Sequence, residues 1–401
     1  MKRKTVVTSM ILAFALVSGF FAGCSETNEA YIAEAVSDEV EANEPQTAET
    51  GEAALALAAE TPETPSDEEL AELLRARVER ALAQNDNFTG TILVRRGEEV
   101  LLGEAFGMAH PARGIYNSFD TQFHIASITK QFTGAAVLLL EIDGKLNRTD
   151  TLDNFFTGHD NLSDVTVEHL LTMRGGFAAD TNDMWEHIQS LLEASYTIDD
   201  ILALSAQDFE QFFISRWDGE VREFSGYFNG DYWLLGRIVE IASGMSFEDF
   251  VTERIFTPAG MENSGFGGSS ETAEPLFINS LYVEGINIMD IRNLPFSFAF
   301  STGGMVSTVN DLNLWLDAFF GGKLFPGYLI DEIRTGRYNY GWTFRGSSTW
   351  SHDGYITGFN SYLIYDRDSD IRITVLTNRG LRHGSRMATA LFGALQAAGA
   401  V

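Results

Sequence analysis

The sequence predicts an α+β fold: an antiparallel sheet built from both chain ends, flanked by terminal helices, with a mainly helical domain inserted between them. Three observations predict it. Strand-like runs occur early, at 89–95 and 100–106, and recur late, at 340–344, 361–365 and 371–376. The region between them, to about residue 320, is mostly helical in its apolar pattern. One stretch in that region, FHIASITKQFTGAAVLLLEIDG at 123–144, is apolar on nearly every face from 128 to 142, which marks a helix buried inside a domain.

Taken in order, the 401 residues begin with a leader. Lys2, Arg3 and Lys4 precede an apolar stretch from 6 to 22, short for a membrane span and right for an export signal. It closes on Phe21-Ala22-Gly23-Cys24, which resembles a bacterial lipobox with Phe where Leu is usual. Cys24 is the only cysteine, so no internal disulfide can form and lipidation gives it a task. The resemblance implies a signal peptide over 1–23 and a mature chain starting at an acylated Cys24. Ser25, rather than Asp, follows, which points to the outer membrane if the host is Gram-negative. The localisation expected is therefore exported and lipid-anchored, periplasmic or at the cell surface.

Residues 24–66 read as a disordered acidic tether. No basic residue occurs from 25 to 69, against 14 acidic ones. Without the leader the chain holds 24 basic and 57 acidic residues, a net charge of −33. From residue 70 on, 43 acidic and 24 basic residues still leave −19, which makes nucleic acid and anionic lipid surfaces poor partners. The folded domain is expected over 67–401, as a monomer without a cofactor.

That domain opens on Ser66-Asp67-Glu68-Glu69, a capping box in form, with a helix to about residue 83. The two early strands follow, joined at Arg96-Gly97-Glu98. Gly144 is placed to end the buried helix. A last helix runs from about 385 to 397.

The buried helix carries the first chemistry. Ser127 and Lys130 are three apart, so both side chains project from one face of its first turn. The dipole at a helix start and burial both disfavour a charged Lys, and a neutral amine is what a serine's base must be. The chain has 5 Lys against 22 Arg, and Arg cannot give up its proton. S-x-x-K alone is still a weak signal, and Ser127 reads equally well as a helix cap. Taken singly, Tyr227-Phe228-Asn229, His352-Asp353-Gly354 before a strand, and Ser301-Thr302-Gly303-Gly304 in a tight turn are no stronger.

Together, and in this order, they resemble something specific. FHIASITKQFTGAAVLLLE, FSGYFNGDYWLLGRIVEIASGMSFEDFV, FTPAGMENSGF, STGGMVSTVNDLNLW and SHDGYITGFNSYLIYDRDSDIRITVLTN are similar to the serine β-lactamase and penicillin-binding-protein superfamily, in the branch of class C β-lactamases, DD-peptidases and D-aminopeptidases. The resemblance covers roughly 70–395 and implies a β-lactamase/transpeptidase-like fold. It implies Ser127 as nucleophile, Lys130 as the group taking its proton, and Tyr227 as shared base and acid. Asn229 would hold the substrate amide, and His352 would stand where many relatives have Lys. Gly354 would leave room for substrate, and the N–H groups of Ser127 and Tyr355 would form an oxyanion hole.

Some positions depart from that pattern. Met173-Arg174-Gly175-Gly176 replaces the usual His-Thr-Ser-Gly, an extra residue separates Phe224 from Tyr227, and Asp218-Gly219 stands in place of an upstream Pro-Gly. Arg382 and Arg386 are candidates for a substrate carboxylate, and read equally as surface arginines. No Ser has Gly at both −2 and +2, which excludes an α/β-hydrolase elbow, and no H-E-x-x-H zinc motif occurs. The expected function is acyl-enzyme hydrolysis of an amide or ester: a β-lactam, a D-amino-acid wall peptide or a small ester. The rival is a non-catalytic lipoprotein that keeps the fold and binds a wall peptide.

Overall fold

The computed structural model describes residues 65–83, 88–157, 162–177, 210, 214, 221, 226–267, 272–274, 299–356, 358–380 and 382–401. Cys24, the leader, the tether up to residue 64, Asp218-Gly219 and Phe224 lie outside the described residues.

Helix α1 (Asp67–Ala83) begins where its capping box closes. The Glu69 N–H donates to Ser66 Oγ at 3.3 Å, and the Ser66 N–H donates to Glu69 Oε2 at 2.8 Å. These bonds satisfy donors a helix start leaves open. Strands β1 (Gly90–Arg96) and β2 (Glu99–Phe106) follow, turning at Gly97, whose φ of 55° suits glycine. A small ribbon, β3 (Met108–His110) and β4 (Ile115–Tyr116), leads to β5 (Phe123–His124) and a 3₁₀ turn at Ala126–Ile128. Helix α2 (Thr129–Ile142) then runs through the core with its first twelve residues buried. It stops at Gly144, φ 66°.

The described part of the middle region is chiefly helical, as expected: α3 (Val167–Leu171), α4 (Asn229–Ser243), α5 (Phe247–Val251), α6 (Phe300–Gly303), α7 (Val309–Phe320) and α8 (Tyr328–Ile333). Two short strands were not anticipated. β6 (Gly265–Phe266) and β7 (Met305–Ser307) join β5 in a three-stranded sheet of order β5-β7-β6. That sheet ties the segment before Ser127 to the one after Ser301-Gly304. The latter four residues are a short helix leading into a strand, not a bare turn.

The chain returns to the main sheet through β8 (Tyr338–Asn339), β9 (Trp342–Arg345), β10 (Thr349–Ile356), β11 (Phe359–Asp366) and β12 (Ile371–Thr377), and closes with α9 (His383–Ala397). The sheet order is β2-β1-β12-β11-β10-β9-β8, all antiparallel. Both chain ends thus build one sheet, joined where β1 pairs with β12. The sheet separates two apolar clusters. Leu70, Leu74, Val78, Met387, Leu391 and Leu395 from α1 and α9 cover one face. The larger cluster, on the other, includes Phe132, Trp233, Trp315 and Phe359 and surrounds α2.

Candidate active site

Ser127 sits on the 3₁₀ turn, one turn earlier than a simple helix start would place it. The residue before it, Ala126, has φ 48°. A non-glycine residue in that region is strained, at a cost of about 1–2 kcal/mol. Its neighbours hold it there. The Ile125 N–H donates to Met305 O at 3.1 Å, and Ser361 Oγ donates to Ile125 O at 2.7 Å.

Lys130 on α2 is fully buried, with a relative exposure of 0%. Its Nζ lies 3.2 Å from Ser127 Oγ, 2.8 Å from Asn229 Oδ1 and 2.8 Å from the Thr302 carbonyl. Two of those three neighbours only accept hydrogen bonds. They engage two N–H groups and leave the third tetrahedral position of Nζ aimed at the serine. In the neutral amine that position is a lone pair, which is the arrangement a base needs. The Thr302 carbonyl is itself held in place. Thr133 Oγ1 donates to the adjacent Ser301 carbonyl at 2.6 Å, and Ser301 Oγ donates to Tyr232 O at 2.9 Å. Gly341 packs against the other side of the lysine backbone: a Cβ there would stand 2.4 Å from Lys130 C.

Tyr227 precedes α4 and lies with its ring centroid 4.8 Å from Lys130 Nζ. Asn229 is the first residue of α4, and its side-chain oxygen is committed to Lys130 rather than open to the cleft. The Met173-Gly176 departure braces this corner. Met173 has φ 57°, its Sδ accepts from the Phe228 N–H at 3.2 Å, and the Gly175 N–H donates to Asp231 Oδ2 at 2.9 Å.

His352, Gly354 and Tyr355 lie inside strand β10, not before a strand as the Asp-Gly pair implied. At Gly354, β10 and the Ser127 turn approach closely. A Cβ at Gly354 would lie 2.1 Å from Ile125 O and 2.3 Å from Ser361 Oγ. The glycine lets β10 close onto the turn that carries Ser127. Burial first, and the Lys130 charge second, push the His352 pKa down to about 3, so its ring is neutral. Its Nδ1 meets the Asp353 carbonyl, which only accepts, so Nδ1 carries the proton. Nε2 is then an acceptor, and the Tyr338 hydroxyl donates to it at 3.2 Å.

Tyr338 is the residue the sequence reading missed. Its ring meets those of Tyr227, Tyr232 and His352 edge-on, with centroids 5.8, 5.9 and 5.5 Å away. Only its neighbourhood in sequence, a strand-like run before Trp342, could have drawn attention to it. Arg382 stands at the N-cap of α9 with φ 60°, near enough to favour the Asp353 carboxylate; Arg386 is exposed on α9. Both belong to the described residues. Cys24 is not among them.

A half-buried serine beside a fully buried lysine at a helix start, faced by a tyrosine and by a sheet strand, fits a serine-hydrolase class of fold. The chain belongs to the beta-lactamase family, whose model matches residues 74–398. It is 26% identical over 298 residues to the putative penicillin-binding protein PbpX of Bacillus subtilis (strain 168), covering 73% of this chain and 71% of the relative. Among solved structures it is similar to a penicillin binding protein from Bacillus halodurans, with TM-score 0.64, 24% identity, and coverage of 81% of this chain and 99% of that one. A D-amino acid amidase from Ochrobactrum anthropi SV3 aligns with TM-score 0.65 and 21% identity, over 82% of this chain and 99% of that one. These last two likenesses concern the fold.

Proposed function

We propose that the chain is an exported serine hydrolase that works through an acyl-enzyme on an amide or ester. One observation carries the reading: Lys130 Nζ, held by two acceptor-only carbonyls, points its remaining position at Ser127 Oγ. Ser127 Oγ attacks the substrate carbonyl as its proton passes to Lys130. The N–H groups of Ser127 and Tyr355 hold the developing oxyanion, an interaction whose loss costs about 3–4 kcal/mol. Tyr227 delivers a proton to the leaving group and is recharged from Lys130. Water then releases the acyl group by the same route in reverse.

The substrate classes that suit this site are β-lactams, D-amino-acid wall peptides and small esters. A family with penicillin-binding relatives and a D-amino acid amidase neighbour supports them. Asn229 is committed through Oδ1, so its Nδ2 is what remains to meet a substrate carbonyl. We also propose that residues 1–23 are an export signal, that Cys24 carries lipid, and that 24–66 tether a monomeric domain to the membrane. The basic, then apolar, leader ending on the single cysteine supports this.

Labelling with fluorescent penicillin and with a fluorophosphonate tests the enzyme reading. Wild type is expected to be modified at Ser127, and Ser127→Ala to lose labelling and at least ~10⁴-fold in turnover. A chain that binds wall peptide yet never acylates would be a binding protein instead.

A further inference from the structure

Tyr338 stands outside the Ser127, Lys130, Tyr227 set, yet three observations join it to that set. Its hydroxyl donates to His352 Nε2 at 3.2 Å. Its ring lies edge-on to Tyr227 at 5.8 Å between centroids, and the neighbourhood of Tyr227 favours the protonated, donating form of Tyr338. The Tyr232 hydroxyl, also close by, has its own proton engaged with Leu171 O at 2.9 Å and accepts from the Gly341 N–H at 2.7 Å. Tyr232 therefore has no second proton to offer Tyr338. In the resting state the directions are fixed: Nδ1–H of His352 to the Asp353 carbonyl, and the Tyr338 proton to Nε2.

We propose that Tyr338 is a positioning residue for Tyr227: its hydroxyl rests on His352 and turns to the Tyr227 oxygen when Tyr227 gives up its proton. The inference rests on the acyl-enzyme reading above. In the resting state Tyr338 keeps its proton on His352 while its ring packs edge-on against that of Tyr227, which fixes Tyr227 beside Lys130. On ring opening or amide cleavage the Tyr227 O–H breaks and a leaving-group N–H forms. The phenolate that remains accepts a hydrogen bond from Tyr338, which keeps its own proton, while His352 Nε2 loses its donor for that interval. Lys130, holding the proton from Ser127, then returns it to Tyr227. No proton is gained or lost in the cycle.

The buried setting suits this. Burial drives the Tyr338 pKa well above that of a free tyrosine, so it remains a donor across the working range. The titratable groups facing the cluster are Lys130 on α2, Tyr232 on α4 and Asp353 on β10, with Tyr340 beyond Tyr232. A neutral His352 parks the proton without competing for it.

Tyr338→Phe keeps the ring contacts and removes the hydroxyl. Without a donor, the charged form of Tyr227 is disfavoured, so its pKa rises. The alkaline limb of the acylation rate by fluorescent penicillin should move to higher pH and the plateau rate should fall about tenfold. A p-nitrophenyl ester, whose leaving group departs without a proton, should lose much less. 3,5-Difluorotyrosine at 338 has nearly the same shape and is a stronger donor, so it should move the limb the other way. Tyr340→Phe, which removes a buried hydroxyl in the turn just after β8, should leave rate and limb as in wild type. If wild type is not modified at Ser127 by either reagent, the acyl-enzyme reading fails. If it is modified, and Tyr338→Phe and the fluorinated form both reproduce the wild-type rate and limb, the Tyr338 assignment alone is overturned.

Discussion

The two faces of the main sheet are built by different means. On the outer face α1 and α9 lay Leu70, Leu74, Val78, Met387, Leu391 and Leu395 over the strands, in the helical spacing that apolar burial dictates. Of the two glycines on α9, Gly384 meets the Asn360 carbonyl at the helix start, and Gly393, further along, has nothing within 4 Å of where a Cβ would stand. On the site face the backbone itself makes the contacts. Gly341, Gly354 and Gly134 each sit where a Cβ would come within 3 Å of main-chain atoms, and Ala126, Met173, Phe300 and Tyr340 hold positive φ. The outer face is stabilised by area. The inner one is a set of close approaches that hold polar groups at fixed distances, at the cost of strain.

Lys130→Met tests this contrast with the largest effect. Met has similar length and no proton to exchange, whereas Arg would have to enlarge a side chain that is 0% exposed. The variant should label at Ser127 at least ~10³-fold more slowly, since base catalysis contributes about 10²–10⁴-fold and the Thr302 and Asn229 oxygens also lose their donor. Stopped-flow or gel labelling alongside a thermal melt measures both. A folded Met variant that labels at near wild-type speed would show that Lys130 is not the base.

The same Gly→Ala change should have opposite signs on the two faces. At Gly354 the methyl meets Ile125 O and Ser361 Oγ, so β10 must move off the Ser127 turn. A loss of about 1–3 kcal/mol in stability is expected, with slower labelling because the Tyr355 N–H moves too. At Gly393 the methyl meets open space within a helix, and a gain of about 0.5–1 kcal/mol is expected. Urea melts of the two single variants decide it; equal and small effects would remove the distinction between the faces.

That distinction also explains what was legible in the sequence. α1 with its capping box, the β1–β2 hairpin and the buried α2 rest on local pattern, and their bounds fell within a residue or two of expectation. Ser127 and Lys130 share one short stretch, so their meeting followed from helical spacing. β10 was not legible as a strand through His352, because Asp353-Gly354 reads as a turn. The glycine is required by Ile125, more than two hundred residues away in the chain. Tyr338 was invisible for the same reason: its partners, Tyr227 and His352, come from separate segments that only the fold brings together. Nor does any local rule place Ala126 in the left-handed region.

A last and smaller effect follows from the histidines buried on the site face. Burial lowers the pKa of His124 to about 4, and burial with Lys130 lowers that of His352 to about 3. Both are neutral when folded, and both bind a proton near pH 6.5 once unfolded. The unfolded state therefore takes up more protons as pH falls below about 6.5, and each histidine removes stability at up to about 1.4 kcal/mol per pH unit. Nothing is lost above pH 7, where the unfolded histidine is also neutral, the loss ends near each folded pKa, and by pH 4 each group has cost on the order of 3 kcal/mol. Carboxylates on both faces complicate the total. Asp366, lowered on balance by bonds from Ser348, Ser369 and Thr349 although burial opposes them, adds a loss in the same direction; Asp311 and Asp353, raised by burial, offset part of it. A difference measurement isolates the histidine. In His124→Phe, whose ring can keep the edge contact with Phe359 at 5.0 Å, stability should fall less steeply than in wild type between pH 6.5 and 4. Urea melts at five pH values would show wild type losing stability relative to the variant as pH drops. Parallel curves would mean that His124 is already protonated in the folded protein, and that the site face buries charge where it has been described as burying a neutral ring.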